Sequence, residues 1–295
     1  MPRAIFFPIL VALAIPVSLA LVAEADSAYR IRIAQWRQGR EAALKADGGW
    51  LTVTGLFWLK EGENRVGSDP SSDVVLPAGA PANLGVVRVE KGAAVFTAAT
   101  GSVTLNGKPV REAPLRYAGP VDVISSGPVD LLPLQRGDRL ALRMKDKDSL
   151  LRRNFTHLSW FPVREDWRIS AKFVPLPAHA KLVLDTVIGE PDAEESPGYV
   201  EFQRGGQTYR LQAVTEGDQL FFVMRDLTSG KSTYPASRFL YADPPKDGTV
   251  ILDFNKAENP PCAFTPYATC PLPPPQNRLP LSIEAGEMKY EGSAH

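Results

Sequence analysis

Histidine and cysteine are scarce. Of 295 residues, three are histidine (His157, His179, His295) and two are cysteine (Cys262, Cys270). A structural zinc ion wants about four close Cys or His ligands, and the histidines lie far in sequence from the thiols. No metal is therefore assigned. There is no G-x-S-x-G elbow, no G-x-x-x-x-G-K-[ST] phosphate loop and no H-E-x-x-H. His157 sits among apolar neighbours and His179 follows a Pro-x-Pro turn, so a Ser-His hydrolase has no support, and no cofactor is implied. An excess of charge is missing too. Lys plus Arg and Asp plus Glu balance at 33 each, which removes the electrostatic footprint of a nucleic-acid partner. Long apolar runs are confined to the N-terminus.

That one run, Ala4 to Ala23, follows Arg3 and precedes Ala23-Glu24-Ala25. Residues 1–25 read as a secretory signal peptide with a small-x-small cleavage site. The alternative is an uncleaved anchor, because the run approaches the ~20 residues that span a bilayer. Pro8, Pro16 and the cleavage site favour the signal. The expectation is a periplasmic or secreted protein, without stable membrane insertion once cleaved.

What is plentiful is punctuation. The 27 prolines and 23 glycines are spread among short apolar segments, as a mainly β chain requires. Residues 26–48 hold a helix, with Ile33, Trp36, Arg40 and Leu44 near one face and Gly48-Gly49 as its stop. Strands follow at regular spacing over 49–150. Asn106-Gly107 is a strong hairpin signal. Leu140, Leu142 and Met144 alternate with polar neighbours, predicting one buried and one wet face. After a charged break near residue 150, a second set of strands fills 151–295, including a hairpin around Arg204-Gly205-Gly206. The fold class is mainly β: an antiparallel sandwich or barrel in two packed halves, with one N-terminal helix.

Both cysteines lie in Asn259–Pro280, NPPCAFTPYATCPLPPPQNRLP, which contains eight prolines. Proline fixes φ and bars the preceding residue from helix, so the segment is expected to run as an extended strap. It offers a disulfide clasp, a metal or redox site, or the wall of a pocket. In an exported protein a Cys262–Cys270 disulfide is the favoured reading, stabilising by ~2–3 kcal/mol. Phe264, Tyr267, Leu272 and Leu279 should pack the strap against the sheets.

The densest polar set surrounds this strap: Arg225, Tyr234, Arg238, Asp253 and Asn255. Arginine presents a fixed fork to carboxylate, phosphate or sulfate. Asp and Asn could take sugar hydroxyls or a hard cation. The competing reading is a structural network, with Arg238 paired to a buried carboxylate such as Asp253. The chain is thus expected to bind a small polar or anionic ligand or to act in the cell envelope. The alternative is a hydrolase with its site around Arg225, Arg238 and Asp253.

Two resemblances add to this. GWLTVTGLFWLKEGENRVGSDPSSDVVLP, KDKDSLLRRNFTHLSWFPV and above all Asp253–Pro280 make most of the chain resemble domain of unknown function family 1684. The family implies no assigned activity and no catalytic residues. NRVGSDPSSDVVLP through SVTLNGKPV is similar to the forkhead-associated domain, a phosphothreonine-binding β-sandwich. Ser68 stands where that family has arginine, and Ala80-Pro81 and Leu84 replace its serine-arginine and histidine. The resemblance therefore implies a sandwich without a phosphate grip.

Overall fold

A computed structural model describes residues 17–292. The signal-peptide reading falls largely outside these residues. Helix α1 (Val17–Lys45) runs back through the expected cleavage site, so it begins earlier than the helix read at 26–48. Ile33 and Leu44 are buried on the face read from the sequence, and Trp36 meets Trp160 edge-on at 5.7 Å. Past the helix end the chain folds back at Gly49, where a Cβ would lie 2.2 Å from the Leu44 carbonyl oxygen, so the turn requires glycine.

Eleven strands follow: β1 (Val53–Trp58), β2 (Gly62–Gly67), β3 (Val74–Val75), β4 (Gly85–Glu90), β5 (Ala93–Ala98), β6 (Thr104–Leu105), β7 (Lys108–Pro109), β8 (Glu112–Pro114), β9 (Ile124–Ser126), β10 (Val129–Arg136) and β11 (Arg139–Asp146). They form two sheets, ordered β1-β11-β10-β9-β6-β7 and β3-β2-β4-β5-β8. Pairing is antiparallel except between β2 and β3. The sheets close over a core that includes Val87, Phe96, Leu131 and Leu142. Asn106 and Gly107, both at positive φ, turn the chain between β6 and β7.

Short helix α2 (Leu150–Asn154), capped by Ser149, marks the break. Beyond it come β12 (Arg168–Pro175), β13 (Lys181–Leu184), β14 (Asp192–Glu195), β15 (Gly198–Arg204), β16 (Gln207–Glu216), β17 (Gln219–Met224), β18 (Arg238–Ala242) and β19 (Thr249–Asp253). Six of them make a curled half-barrel sheet, ordered β18-β17-β16-β15-β12-β19. β13 and β14 form a separate hairpin. The sequence Leu220-Phe-Phe-Val-Met224 is apolar at every position because β17 is covered on both faces. Leu220, Phe222 and Met224 enter the core of the curled sheet. Phe221 and Val223 point to the opposite side, as the two-residue period of a strand dictates.

The face of β11 read as wet is covered. Leu140, Leu142 and Met144 do enter the sandwich core. On the other face, however, Ala141 is fully buried and Arg143 half-buried. A local alternation pattern cannot show that a second layer will lie against the polar side of a sheet.

The strap departs from a simple extended run. It contains single 3-10 turns at Pro261–Ala263 and Pro275–Asn277, each opening on a proline. Proline is well suited to the first position of a turn, where its missing N–H costs nothing. Phe264 and Leu279 are buried as expected, whereas Tyr267 is exposed.

Candidate functional site

The five polar residues singled out from the sequence do not converge. Arg238 is 1% exposed and donates to Asp226 at 2.8 Å and to the carbonyls of Ile283 and Ala285. Its carboxylate partner is Asp226, not Asp253. Asp253 instead accepts from the Tyr29 hydroxyl at 2.8 Å and from the Asn255 backbone N–H at 3.2 Å. Asn255 donates to Tyr29 and exchanges bonds with the backbone of Arg164. That knot ties α1 to the end of β19. Tyr234 donates to the Cys262 carbonyl at 3.0 Å. The Arg225 side chain points to solvent while its backbone pairs with Asn277 and Leu279. Arg238 and Asp253 each join two segments of chain and the Arg225 side chain faces solvent, so the three groups are not brought together as a ligand site or hydrolase centre.

The disulfide read from the sequence is also absent. Cys262 and Cys270 are buried thiols, and the Cys262 N–H donates to the Cys270 Sγ at 3.2 Å. Contact between the two sulfurs lowers the pKa of Cys262 and raises that of Cys270. Both pack with Leu182, Val214 and Phe239, so apolar contact rather than a bridge closes this loop.

A different site lies where the halves meet. It is a two-lobed cavity, with one lobe of about 260 Å³ and an adjoining one of about 270 Å³. Arg136, Glu216, Phe221, Thr269 and Pro271 line both. The strap, through Pro261, Thr269, Cys270 and Pro271, is one wall of the first lobe. The floor is aromatic. Phe221 stacks on Tyr241 at 4.8 Å and meets Phe239 edge-on at 4.9 Å. These rings share a face because Phe221 pairs with Tyr241, and Val223 with Phe239, across β17 and β18.

The opposite wall comes from the first half. Arg143 projects from the covered face of β11, with its guanidinium 5.0 Å from the Trp50 ring. Its Nε is buried without a hydrogen-bond partner. Burial, then the neighbouring Arg136, holds its pKa down at about 10, so it still carries its charge at neutral pH. Arg136, at the end of β10, donates to Thr269 Oγ1 at 3.1 Å and to the Gln135 carbonyl at 2.8 Å. Among the described residues neither arginine has a carboxylate within 4.0 Å.

A third wall is acidic. Arg40 of α1 is shared by two carboxylates, lying 2.8 Å from Glu287 and 3.3 Å from Glu258. Glu287 is well bonded, taking also the Asn259 N–H at 2.7 Å. Glu258 lines the cavity. Burial, reinforced by Glu287 and Glu216 against the pull of Arg40, pushes its pKa up to about 7. Glu287 is raised as well, chiefly by burial. Glu216 at the rim accepts from the Tyr241 hydroxyl at 3.3 Å. One cation cannot neutralise two buried carboxylates, so Glu258 is the group whose proton is exchangeable near neutrality.

Residues 153–288 match the model of the family described as Protein of unknown function (DUF1684). The likeness lies in the second half, so the N-terminal run beginning at Gly49 is outside it. No curated protein matches the chain. Among solved structures, the chain is similar to an uncharacterized protein of Haloarcula marismortui, at 29% identity over 46% of this chain and 78% of that one, with a TM-score of 0.40. It is also similar to a domain from a study of phosphothreonine-dependent FHA interactions, at 23% identity over 30% of this chain and 91% of that one, with a TM-score of 0.22. The FhaA FHA domain, solved in complex with an intracellular domain, gives the same identity and TM-score over 30% of this chain and 96% of that one.

Within the DUF1684 match lie Glu216, Phe221, Tyr241, Glu258 and the strap. Arg40, Trp50, Arg136 and Arg143 lie outside it. Arg40 shares a helix face with Ile33 and Leu44, but nothing local marks the other three. Arg143 sits in an ordinary alternating strand, and Arg136 beside a turn. Glu258, directly before the strap in KAENPP, was a second signal open to sequence reading.

Proposed function

We propose that the protein is an exported binding protein for small anionic molecules, held in the cavity between its two halves. The carrying observation is the pair Arg136 and Arg143. Two arginines face one cavity without a carboxylate partner, and a buried Arg143 N–H is unmet. An unpaired buried cation is costly, and a carboxylate, phosphate or sulfate would meet the guanidinium fork with charge-assisted hydrogen bonds. The aromatic floor supplies apolar contact, as in most small-molecule sites. Export rests on the N-terminal apolar run and its Ala-x-Ala ending.

A thermal-shift and calorimetric series with acetate, butyrate, phosphate and sulfate tests this. Saturable binding that Arg143→Ala weakens by about tenfold or more supports it. Binding that is absent, or indifferent to both Arg143→Ala and Arg136→Ala, overturns it.

A further inference from the structure

The same cavity is dipolar. Arg136 and Arg143 of the first half share it with carboxylates of the second, and Phe221 lines both lobes. Glu258 is the most telling of these carboxylates. Its side chain is only 14% exposed, it faces the cavity, and its nearest cation is Arg40 at 3.3 Å, a guanidinium whose shorter contact goes to Glu287. Tyr241, whose hydroxyl donates to Glu216, feels the negative charge of both Glu216 and Glu258. Among the described residues Glu216 has no cation within 4.0 Å, nor have Asp192 and Glu194 in the second lobe. Burial and its neighbour Asp192 raise the Glu194 pKa. The arginine wall carries two cations without a carboxylate within 4.0 Å among the described residues, while the acidic wall sets one cation, Arg40, against Glu287, Glu258 and Glu216.

Resting on the anion site proposed above, we infer that the ligand is an amino-acid-like zwitterion, its anionic head on Arg136 and Arg143 and its ammonium group against Glu258 and Glu216. A plain organic acid would fill the arginine side and leave the carboxylates facing each other. An ammonium group donates three hydrogen bonds and would satisfy the Glu258 oxygens that Arg40 reaches poorly.

Binding of a zwitterion has a pH signature that separates it from simple anion binding. The charged and titratable groups facing Glu258 are Arg40 from α1, Glu287 from the C-terminal segment, Glu216 from β16 and Tyr241 from β18, with Arg136 and Arg143 across the cavity. An ammonium group favours ionised Glu258, so its binding releases the proton that Glu258 holds below about pH 7. Affinity for a zwitterion should rise by up to about tenfold per pH unit as pH climbs towards neutrality, then level off. Affinity for a plain anion should fall over the same interval, because ionised Glu258 repels it.

The experiment compares glycine, 4-aminobutyrate and 6-aminohexanoate with acetate, butyrate and hexanoate, by calorimetry at about pH 6 and pH 8 on the full chain. Expected is at least one amino acid binding about tenfold tighter than its plain acid at the higher pH. That preference should shrink at the lower pH and collapse in Glu258→Gln. Plain acids binding as tightly as every amino acid would sink the zwitterion while leaving the arginine site standing. Binding by neither series, or binding indifferent to both Arg143→Ala and Arg136→Ala, would overturn the anion site and this inference together. Circular dichroism of Glu258→Gln guards against a folding defect, and Glu216→Gln, at the exposed rim, should weaken the amine preference in its own right.

Discussion

Arg238 and Arg143 show two uses of one side chain. Arg238 is enclosed, with Asp226 at 2.8 Å and two carbonyls on its terminal nitrogens, and only its Nε is left without a partner among the described residues. Asp226 in turn accepts from the Thr228 N–H at 2.7 Å and from its hydroxyl. Truncation of Arg238 would strand a buried carboxylate, and breaking such a pair costs about 3–5 kcal/mol. Arg238→Ala should therefore unfold at markedly lower denaturant with a similar slope. An unchanged midpoint would refute the bracing role. Arg143 has no such partner, so Arg143→Ala should leave stability within about 1 kcal/mol of the parent or raise it, as is common where a binding site holds unpaired charge. In sequence both are simply arginines in strands. Burial and partner, which separate them, are supplied by distant chain.

At the scale of elements, the strap is fastened by side chains reaching into the sheet. Asn277 is fully buried and accepts from the Gln212 N–H at 2.8 Å, while its amide donates to the Gln212 and Val223 carbonyls. It thus holds β16, β17 and the strap together. Asn277→Ala should cost about 2–4 kcal/mol, since several buried polar groups would lose their partner. Proteolysis should then begin within 259–280, because strap opening is a local event. Uniform cleavage across the chain would tell against that. With no bridge in the loop, reductant should leave the melting temperature unchanged, and alkylation after non-reducing denaturation should label both Cys262 and Cys270. The proline content foretold a strap, and a pocket wall was one of the three roles it left open beside the favoured disulfide clasp. The fastenings were not legible, because an asparagine that spans three segments looks like any loop asparagine.

For the molecule as a whole, the buried charge at the junction sets a pH dependence. Glu258 has its pKa lifted from 4.5 to about 7 in the folded chain. The folded state then binds more protons than the unfolded state between those values, so stability falls as pH rises through the interval and is level above it. The shift corresponds to at most ~3 kcal/mol. Glu258→Gln removes the ionisation, so it should stabilise the protein near pH 8 and do little near pH 5. Denaturant midpoints of the two proteins across this range provide the check. A parallel pH course in both would remove Glu258 as the titrating group.

The sequence by itself determined the fold class, the single N-terminal helix and the hairpin at Asn106-Gly107, because two-residue alternation, helical spacing and turn chemistry are local properties of a chain. It also determined that the proline segment would lie as a strap. Tertiary structure alone decided which polar residues became braces and which faced a cavity. Arg40, Arg143 and Glu258 are separated by more than a hundred residues along the chain. They meet only because α1 and the covered face of β11 pack against the second half. Burial, which lifts the Glu258 pKa and leaves Arg143 unmet, is produced by that packing and has no local imprint.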